Sequence, residues 1–225
     1  MRFMLATGNA HKLQEFRSIL APCLVVPMLA GVELPPEGVE SFAENAAGKA
    51  VALAELVVGD PAQVALLEGA APAGRDWRDE LLFLADDSGL EVEALRWAPG
   101  VTSARYAGMD GPGADAANVT RLLRELAGCA GSAARRARFH CSVVVVTPRM
   151  AHYRATGYWW GAIAEAPRGE GGFGYDPVFV PEGSDLTVAE WPQADKDQAS
   201  HRALAGRALL ERLRREGLLD GDREA

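Results

Sequence analysis

An apolar run of strand length, Leu81 to Ala85, passes directly into Asp86-Asp87-Ser88-Gly89. An apolar strand is normally buried, and buried carboxylates are rare unless paired or bound to a metal. Two neighbouring carboxylates at a strand end repel each other, which a cation or a raised pKa resolves. Hard oxygen ligands of this kind suit Mg²⁺, which typically combines one or two carboxylates with phosphate oxygens and water. The stretch therefore points to a metal-assisted phosphate site at the C-terminal end of a sheet strand. Asp, Ser and Gly are also turn formers, so a polar β-turn is the competing reading of the same residues.

Composition narrows the partners. A chain of 225 residues, 48% hydrophobic and 24% charged, has the length for one large or two small globular domains. Its net charge of −8 disfavours general binding to duplex nucleic acid, which needs a basic footprint, and still permits an anionic ligand in a local basic pocket. Cys23, Cys129 and Cys141 are widely spaced and form neither a zinc pattern nor a disulfide framework, which fits a reducing, cytoplasmic compartment. No apolar run reaches transmembrane length, and the N-terminus enters a strand at once, so no membrane association is expected.

Arg2 to Ala6 reads as a buried strand, Thr7-Gly8-Asn9 as a turn, and Ala10 to Leu20 as a helix, from the spacing of Leu13, Phe16, Ile19 and Leu20. The N-terminus of that helix suits phosphate, and Lys12 in its first turn is misplaced against the dipole unless an anion is near. A plain βα connection, with Lys12 and Glu15 bridging on the surface, accounts for the same residues. The GxxxxGK[ST] spacing of a Walker A loop is absent. Cys23 to Leu29 reads as a second strand, and Gly31 to Glu40 as a loop carrying Glu33, Glu37 and Glu40. Ser41 and Glu44 form a capping box that opens a helix running to about Val58. Lys49 lies deeper in that helix, where surface solvation would explain it. Gly59 to Glu80 reads as an insertion with one helical turn around Gln63 to Glu68.

Leu90, Val92 and Ala94 alternate with Glu91 and Glu93 as in a half-exposed strand, and Pro99-Gly100 marks a turn. Arg105 follows, able to reach a phosphate or simply to be a surface cation. Asp115 to Leu126 is helical, and Ala137 to Thr147 with His152 to Ala164 reads as a long hairpin around Pro148 to Ala151. The stretch Pro167 to Pro177 surrounds Phe173, Tyr175 and Asp176 with glycines. Glycine permits close backbone approach to a ligand, and an exposed Phe or Tyr there is a stacking platform for a base; the alternative is that the aromatics fold back onto the core. Val178 to Val180 is a short strand. Lys196, Ser200, His201 and Arg202 open one final helix in this reading, basic groups that suit an anion or a base edge, and a flexible tail begins at Asp220.

In order along the chain stand TGNAHKLQEF, SFAENAAGKA, ADDSGLEVEAL, PGVTSARYAG, RARFHC, GGFGYDPVF and KDQASHRALAG. Together they resemble the inosine triphosphate pyrophosphatase family over nearly the whole chain, from about Phe3 to Leu213. The resemblance implies an α/β fold: an elongated, twisted, mixed central sheet flanked by helices, one domain of two lobes with the active-site cleft between them. It implies a homodimer, Mg²⁺ as cofactor, and hydrolysis of dITP, ITP or XTP to the monophosphate and pyrophosphate. By the same resemblance Asp87 is proton acceptor and metal ligand, with Glu37 and Asp86 as further ligand candidates. Thr7, Gly8, Asn9, Ala10, His11 and Lys12 would hold the triphosphate, with Lys49 and Arg105 as added phosphate contacts. Ser88, Phe173, Gly174, Tyr175, Asp176, Lys196, His201 and Arg202 would bind the rest of the nucleotide. The departure is the Gly59 to Glu80 segment, which leaves the motifs intact. Competing readings are a pyrophosphatase for modified pyrimidine or 7-methylguanine nucleotides, and a nucleotide-binding regulator without catalysis.

Overall fold

The computed structural model describes residues 1–70, 74 and 76–219. Six strands are present among them: β1 (Arg2–Leu5), β2 (Leu24–Pro27), β3 (Leu81–Val92), β4 (Arg136–Val146), β5 (His152–Ile163) and β6 (Phe179–Pro181). Helices are α1 (Ala10–Ile19), α2 (Phe42–Gly59), α3 (Pro61–Ala70), α4 (Ala114–Glu125), α5 (Gln193–Ala199) and α6 (His201–Arg215), with short 3-10 segments between them. The strands form one sheet in the order β2-β1-β3-β4-β5-β6. β1 is parallel to β2 and β3, while β5 and β6 are antiparallel, so the sheet is mixed and the fold is α/β as expected.

The chain divides into two compact units, each assembled from separated segments. The first takes Met1–Asp87, Ser142–Gly157 and Ala205–Ala225. Its core sets Met4, Leu81, Phe83 and Ala85 of the sheet against Ala46, Ala50, Leu53 and Ala54 of α2. Small alanines on α2 let the helix lie close to the strands, and Leu53 and Val57 supply the apolar volume. The second unit takes Ser88–Cys141 and Tyr158–Leu204. Its core joins Leu90 and Val92 of β3 to Val119 and Leu122 of α4, with Phe179 in edge contact with Phe139 and tilted against Trp159. Arg135, buried, donates to four backbone carbonyls: Ile163 at 2.8 Å, Ala164 and Leu126 at 2.9 Å, and Cys129 at 3.1 Å. Two of these carbonyls, Leu126 and Cys129, follow the C-terminus of α4, and the other two lie at the end of β5 and just beyond it.

Three expectations are corrected here. Asp86-Asp87-Ser88-Gly89 is not a turn between two strands; β3 runs unbroken through it. Lysines described below stand beside the acids and offset part of their charge, and the turn propensity of these residues yields to the ladder. The segment after Gly59 holds more helix than one turn: α3 spans 10 residues, none of them buried. Asp60 accepts from the Ala62 N–H at 2.8 Å and Pro61 stands at the first helical position, a start signal already present in the sequence. The final helix is two helices. Ser200 breaks it with ψ 161°, and its hydroxyl accepts from the Ala203 N–H at 3.2 Å, so it caps α6 instead of continuing α5. The tail expected to be flexible lies outside the described residues.

Among the described residues no single helix is long and apolar enough to cross a membrane. α2 and α3 together reach that length, but they are bent by 83° and the inner face of α2 is spent on the core.

Candidate active site

The geometry of the acid pair follows from strand alternation. β1 ends at Leu5, opposite Leu84, and the Ala6 N–H makes a last bond to the Leu84 carbonyl at 2.7 Å. The chain then turns away through Thr7-Gly8-Asn9 into α1 while β3 continues. Asp86 and Asp87 therefore lie just past the C-terminal end of parallel β1, the place where open α/β sheets bind ligands. Successive side chains on a strand face opposite ways. Leu81, Phe83 and Ala85 pack with α2, so Asp87 continues that series toward α2. Asp86 takes the other face and pairs with Lys12 of α1, Nζ to Oδ2 3.0 Å. Lys12 thus has Asp86 as an anion beside it.

On the α2 side, Asn45 and Lys49 stand four residues apart and share a face. Asn45 Nδ2 donates to Asp87 Oδ2 at 2.8 Å. Lys49 Nζ lies 2.9 Å from Glu37 Oε1 and 3.9 Å from Asp87 Oδ1. Lys49 is 7% exposed, which rules out a solvated surface role. Three carboxylates (Glu37, Asp86, Asp87) face two ammoniums (Lys12, Lys49), leaving one surplus negative charge. Burial pushes the Asp87 carboxyl above its ordinary range, more than Lys49 and the Asn45 hydrogen bond pull it down. Burial also works to lower Lys49, but Asp86, Asp87 and Glu37 together outweigh it and hold the ammonium's pKa up. Burial thus leads for Asp87, whereas for Lys49 the surrounding carboxylates prevail over it.

The phosphate-loop candidates have local roles as well. Asn9 caps α1, its Oδ1 accepting from the N–H groups of His11 at 2.9 Å and Lys12 at 3.2 Å. Thr7 Oγ1 accepts from the Asn9 N–H at 3.1 Å. A Cβ on Gly8 would meet nothing within 4 Å, so internal packing does not demand a glycine there. Ala10 opens the helix and His11 is exposed.

The second unit carries the other candidates. Asp176, buried, accepts on one oxygen from the Phe173 N–H at 2.9 Å and from Lys196 Nζ at 2.7 Å. Gly172 has φ +74°, and a Cβ there would clash with that oxygen, so the turn needs glycine. The half-buried Phe173 ring lies under two cations, Lys196 Nζ at 4.5 Å and the Arg202 guanidinium at 5.4 Å. Arg202 also donates to Ser88 Oγ at 2.8 Å. The His201 ring stacks on Phe139, centroids 4.7 Å apart and planes 13° apart. Gly174 donates its N–H to Asp115 at 2.7 Å. Tyr175 is no platform for a base: it is buried in the core and donates its hydroxyl to the Ser103 carbonyl at 2.9 Å. Arg105 ends the 3-10 segment Gly100–Arg105 and is half-buried. Lys196 lies within α5, so Ser200, as cap, stands with His201 and Arg202 at the start of α6 as expected, and Lys196 does not.

Among the described residues no group of three or more His, Cys, Asp or Glu converges as a ready metal-ligand set. The donor chemistry nevertheless fits a hard divalent cation: carboxylate oxygens, a surplus negative charge, and ammoniums able to exchange partners. Alternation aims Asp86 and Asp87 at opposite faces of β3, and Asp87 lies with Glu37 around Lys49, whose ammonium both acids and Glu37 hold up. Asn45 was missed from the sequence. A polar, poor helix former in the first turn of an alanine-rich helix, one turn before Lys49, was the available signal.

These features define an α/β protein with acids and lysines gathered just past the end of a parallel strand, and with a glycine-bound aromatic loop in its second unit. The chain belongs to the Ham1 family, whose sequence model matches residues 3–212. It is 42% identical over 219 residues to the dITP/XTP pyrophosphatase of Ralstonia nicotianae, covering 95% of this chain and 96% of the relative. It is 38% identical over 210 residues to the dITP/XTP pyrophosphatase of Methylacidiphilum infernorum, covering 92% of each. Among solved structures it is similar to the Ham1 protein of Staphylococcus aureus, with TM-score 0.74 and 32% identity over 96% of this chain and 100% of that one. The Ham1 protein of Coxiella burnetii matches with TM-score 0.74 and 33% identity, over 96% and 99% of the two chains. The family resemblance read from the motifs and the expected α/β fold, a mixed central sheet flanked by helices, are both borne out.

Proposed function

We propose that this protein hydrolyses the non-standard purine nucleoside triphosphates dITP, ITP and XTP to the monophosphate and pyrophosphate, removing them from the nucleotide pool. Support comes from Ham1 membership and from relatives named dITP/XTP pyrophosphatase. The observation that carries the chemistry is Asp87, buried on β3 and held between Asn45 and Lys49.

In this reading Asp87 orients the attacking water. With Oδ2 engaged by Asn45, Oδ1 takes the water proton as the new P–O bond forms and the α–β anhydride bond breaks. Lys12 and Lys49 leave Asp86 and Glu37 to neutralise the polyphosphate, and the α1 N-terminus with Thr7 to Lys12 holds it. Asp87 and Glu37 would hold Mg²⁺, with Asp86 contributing charge from the opposite face. When bound, the ion supplies charge neutralisation on the phosphoryl oxygens and a more acidic water. Phe173 stacks on the base, and Lys196, His201 and Arg202 offer donors to its edge. Hypoxanthine and xanthine present a 6-oxo acceptor there, whereas the adenine 6-amino group leaves a donor unpaired, at about 1–3 kcal/mol each. The same reading takes the protein as a cytoplasmic homodimer acting on free nucleotides, with no nucleic-acid or membrane partner. A sedimentation mass near twice 23.9 kDa tests the dimer.

Product analysis with ITP, XTP, GTP and ATP, with and without Mg²⁺, tests the activity. IMP and pyrophosphate, formed only with Mg²⁺ and with little turnover of GTP or ATP, are expected. IDP and phosphate, or no product from ITP, would overturn the proposal.

A further inference from the structure

We infer that Asn45 is a positioning residue that sets the distance between the two carboxylates assigned to the metal. The inference rests on the site proposed above. The Asn45 amide makes three hydrogen bonds: Oδ1 accepts from the Gly38 N–H at 2.8 Å, and Nδ2 donates to the Gly38 carbonyl at 3.2 Å and to Asp87 Oδ2 at 2.8 Å. A primary amide has two N–H donors, so both are used. Gly38 directly follows Glu37, whose carboxylate meets Lys49 one turn further along the same helix.

One side chain thus clamps the backbone of the loop that carries Glu37 and holds one oxygen of Asp87. The two acids come from segments far apart in sequence, and α2 is the element that both report to. Asn45 is 8% exposed, so water does not replace these bonds readily. A cap or turn function does not explain it, because the α2 cap is Ser41, whose hydroxyl accepts from the Glu44 N–H at 3.1 Å. Helix propensity argues the other way, since Asn is a poorer helix former than the alanines beside it. An amide in this place also serves where an acid would not, since a fourth carboxylate would add to the surplus negative charge and could not donate to Asp87. Groups that orient metal-holding carboxylates typically change metal affinity or activity about 10–100-fold when removed.

The test measures Mg²⁺ binding to the nucleotide-free protein by calorimetry, and kcat and KM for ITP, in Asn45→Ala, Asn45→Asp and Asp87→Asn. For Asn45→Ala the Mg²⁺ Kd is expected to rise about 10–100-fold, and kcat at saturating Mg²⁺ to fall by a similar factor, with KM for ITP within about two-fold. A residue serving stability alone would lower the melting temperature and leave the Mg²⁺ Kd of the folded protein unchanged. A folded Asn45→Ala protein with wild-type Kd and kcat overturns the inference. Should that variant fail to fold, Asn45→Asp keeps the acceptor for the Gly38 N–H and loses the donors. Its kcat is expected to fall at least about 10-fold, and a wild-type kcat overturns the inference. If Asp87→Asn itself keeps both Mg²⁺ affinity and turnover, the site proposal fails, a result separable from an effect confined to Asn45.

Discussion

Replacing Arg135 by lysine should unfold this protein at a clearly lower temperature. The guanidinium presents its donors in a fixed planar fork and reaches four carbonyls on two sides, those of Leu126 and Cys129 and those of Ile163 and Ala164. Lysine has one nitrogen at the end of a flexible stem and cannot span both sides, so at least two of these bonds are lost. Hydrogen bonds to a charged group contribute roughly 1.5–3 kcal/mol each, which gives a loss of about 3–6 kcal/mol. In a chain of this size each kcal/mol moves Tm by about 2–4 °C, so a drop of at least about 6 °C is expected. Calorimetry at pH 7, with urea unfolding to confirm an unchanged m-value, is the assay. Arg135→Met, which keeps the apolar stem and has no donor, should be at least as destabilised. A change in Tm under about 2 °C for both variants would refute the idea that this buried cation ties the end of α4 to the end of β5.

Three further outcomes follow from the geometry. Asp87→Asn should abolish turnover of ITP while the metal-free protein remains at least as stable as wild type, because burial already disfavours the ionised carboxyl; turnover near wild type would remove Asp87 from its assigned role. Gly172→Ala forces a side chain into φ +74° and against Asp176, so about 1–2 kcal/mol of strain and a raised KM for ITP are expected, with Tm and steady-state kinetics as the checks. Burial works to raise the Glu91 pKa, but His140 at 3.4 Å and Arg138 at 2.6 Å outweigh it and hold the carboxyl below its ordinary range. A depressed acid contributes stability that is present above its unfolded value of about 4.3 and is lost as pH falls through the folded value. Glu91→Gln should therefore be less stable at neutral pH and show a flatter acid limb in a Tm-versus-pH series; an unchanged acid limb would count against the pairing.

Local sequence was enough for the features whose cause is local. Ser41 and Glu44 announced the start of α2, and the spacing of Leu13, Phe16 and Ile19 announced α1. The acids following an apolar run stood out as a candidate site, because burying charge is costly wherever the strand is placed. Asp60-Pro61 and Ser200 were equally local signals for α3 and for the break before α6, and were outweighed by the glycines and prolines of the first segment and by the run of helix formers in the second.

The sequence by itself determined the class of the fold, the order of its motifs and the residue types gathered in the candidate site, since periodicity, caps and buried charge are properties of short stretches. Only the tertiary structure decided how those residues are paired. Whether Asp86 and Asp87 share a cation or face apart depended on β3 running straight through them. That Lys12 meets Asp86, that Lys49 is buried between Glu37 and Asp87, and that Tyr175 belongs to the core while Phe173 lies under two cations all depended on which elements pack on which face. Asn45 shows the physical reason most directly. Its three bonds go to residues 7 and 42 positions away, and contacts at such separations are fixed by packing, which no window along the chain contains.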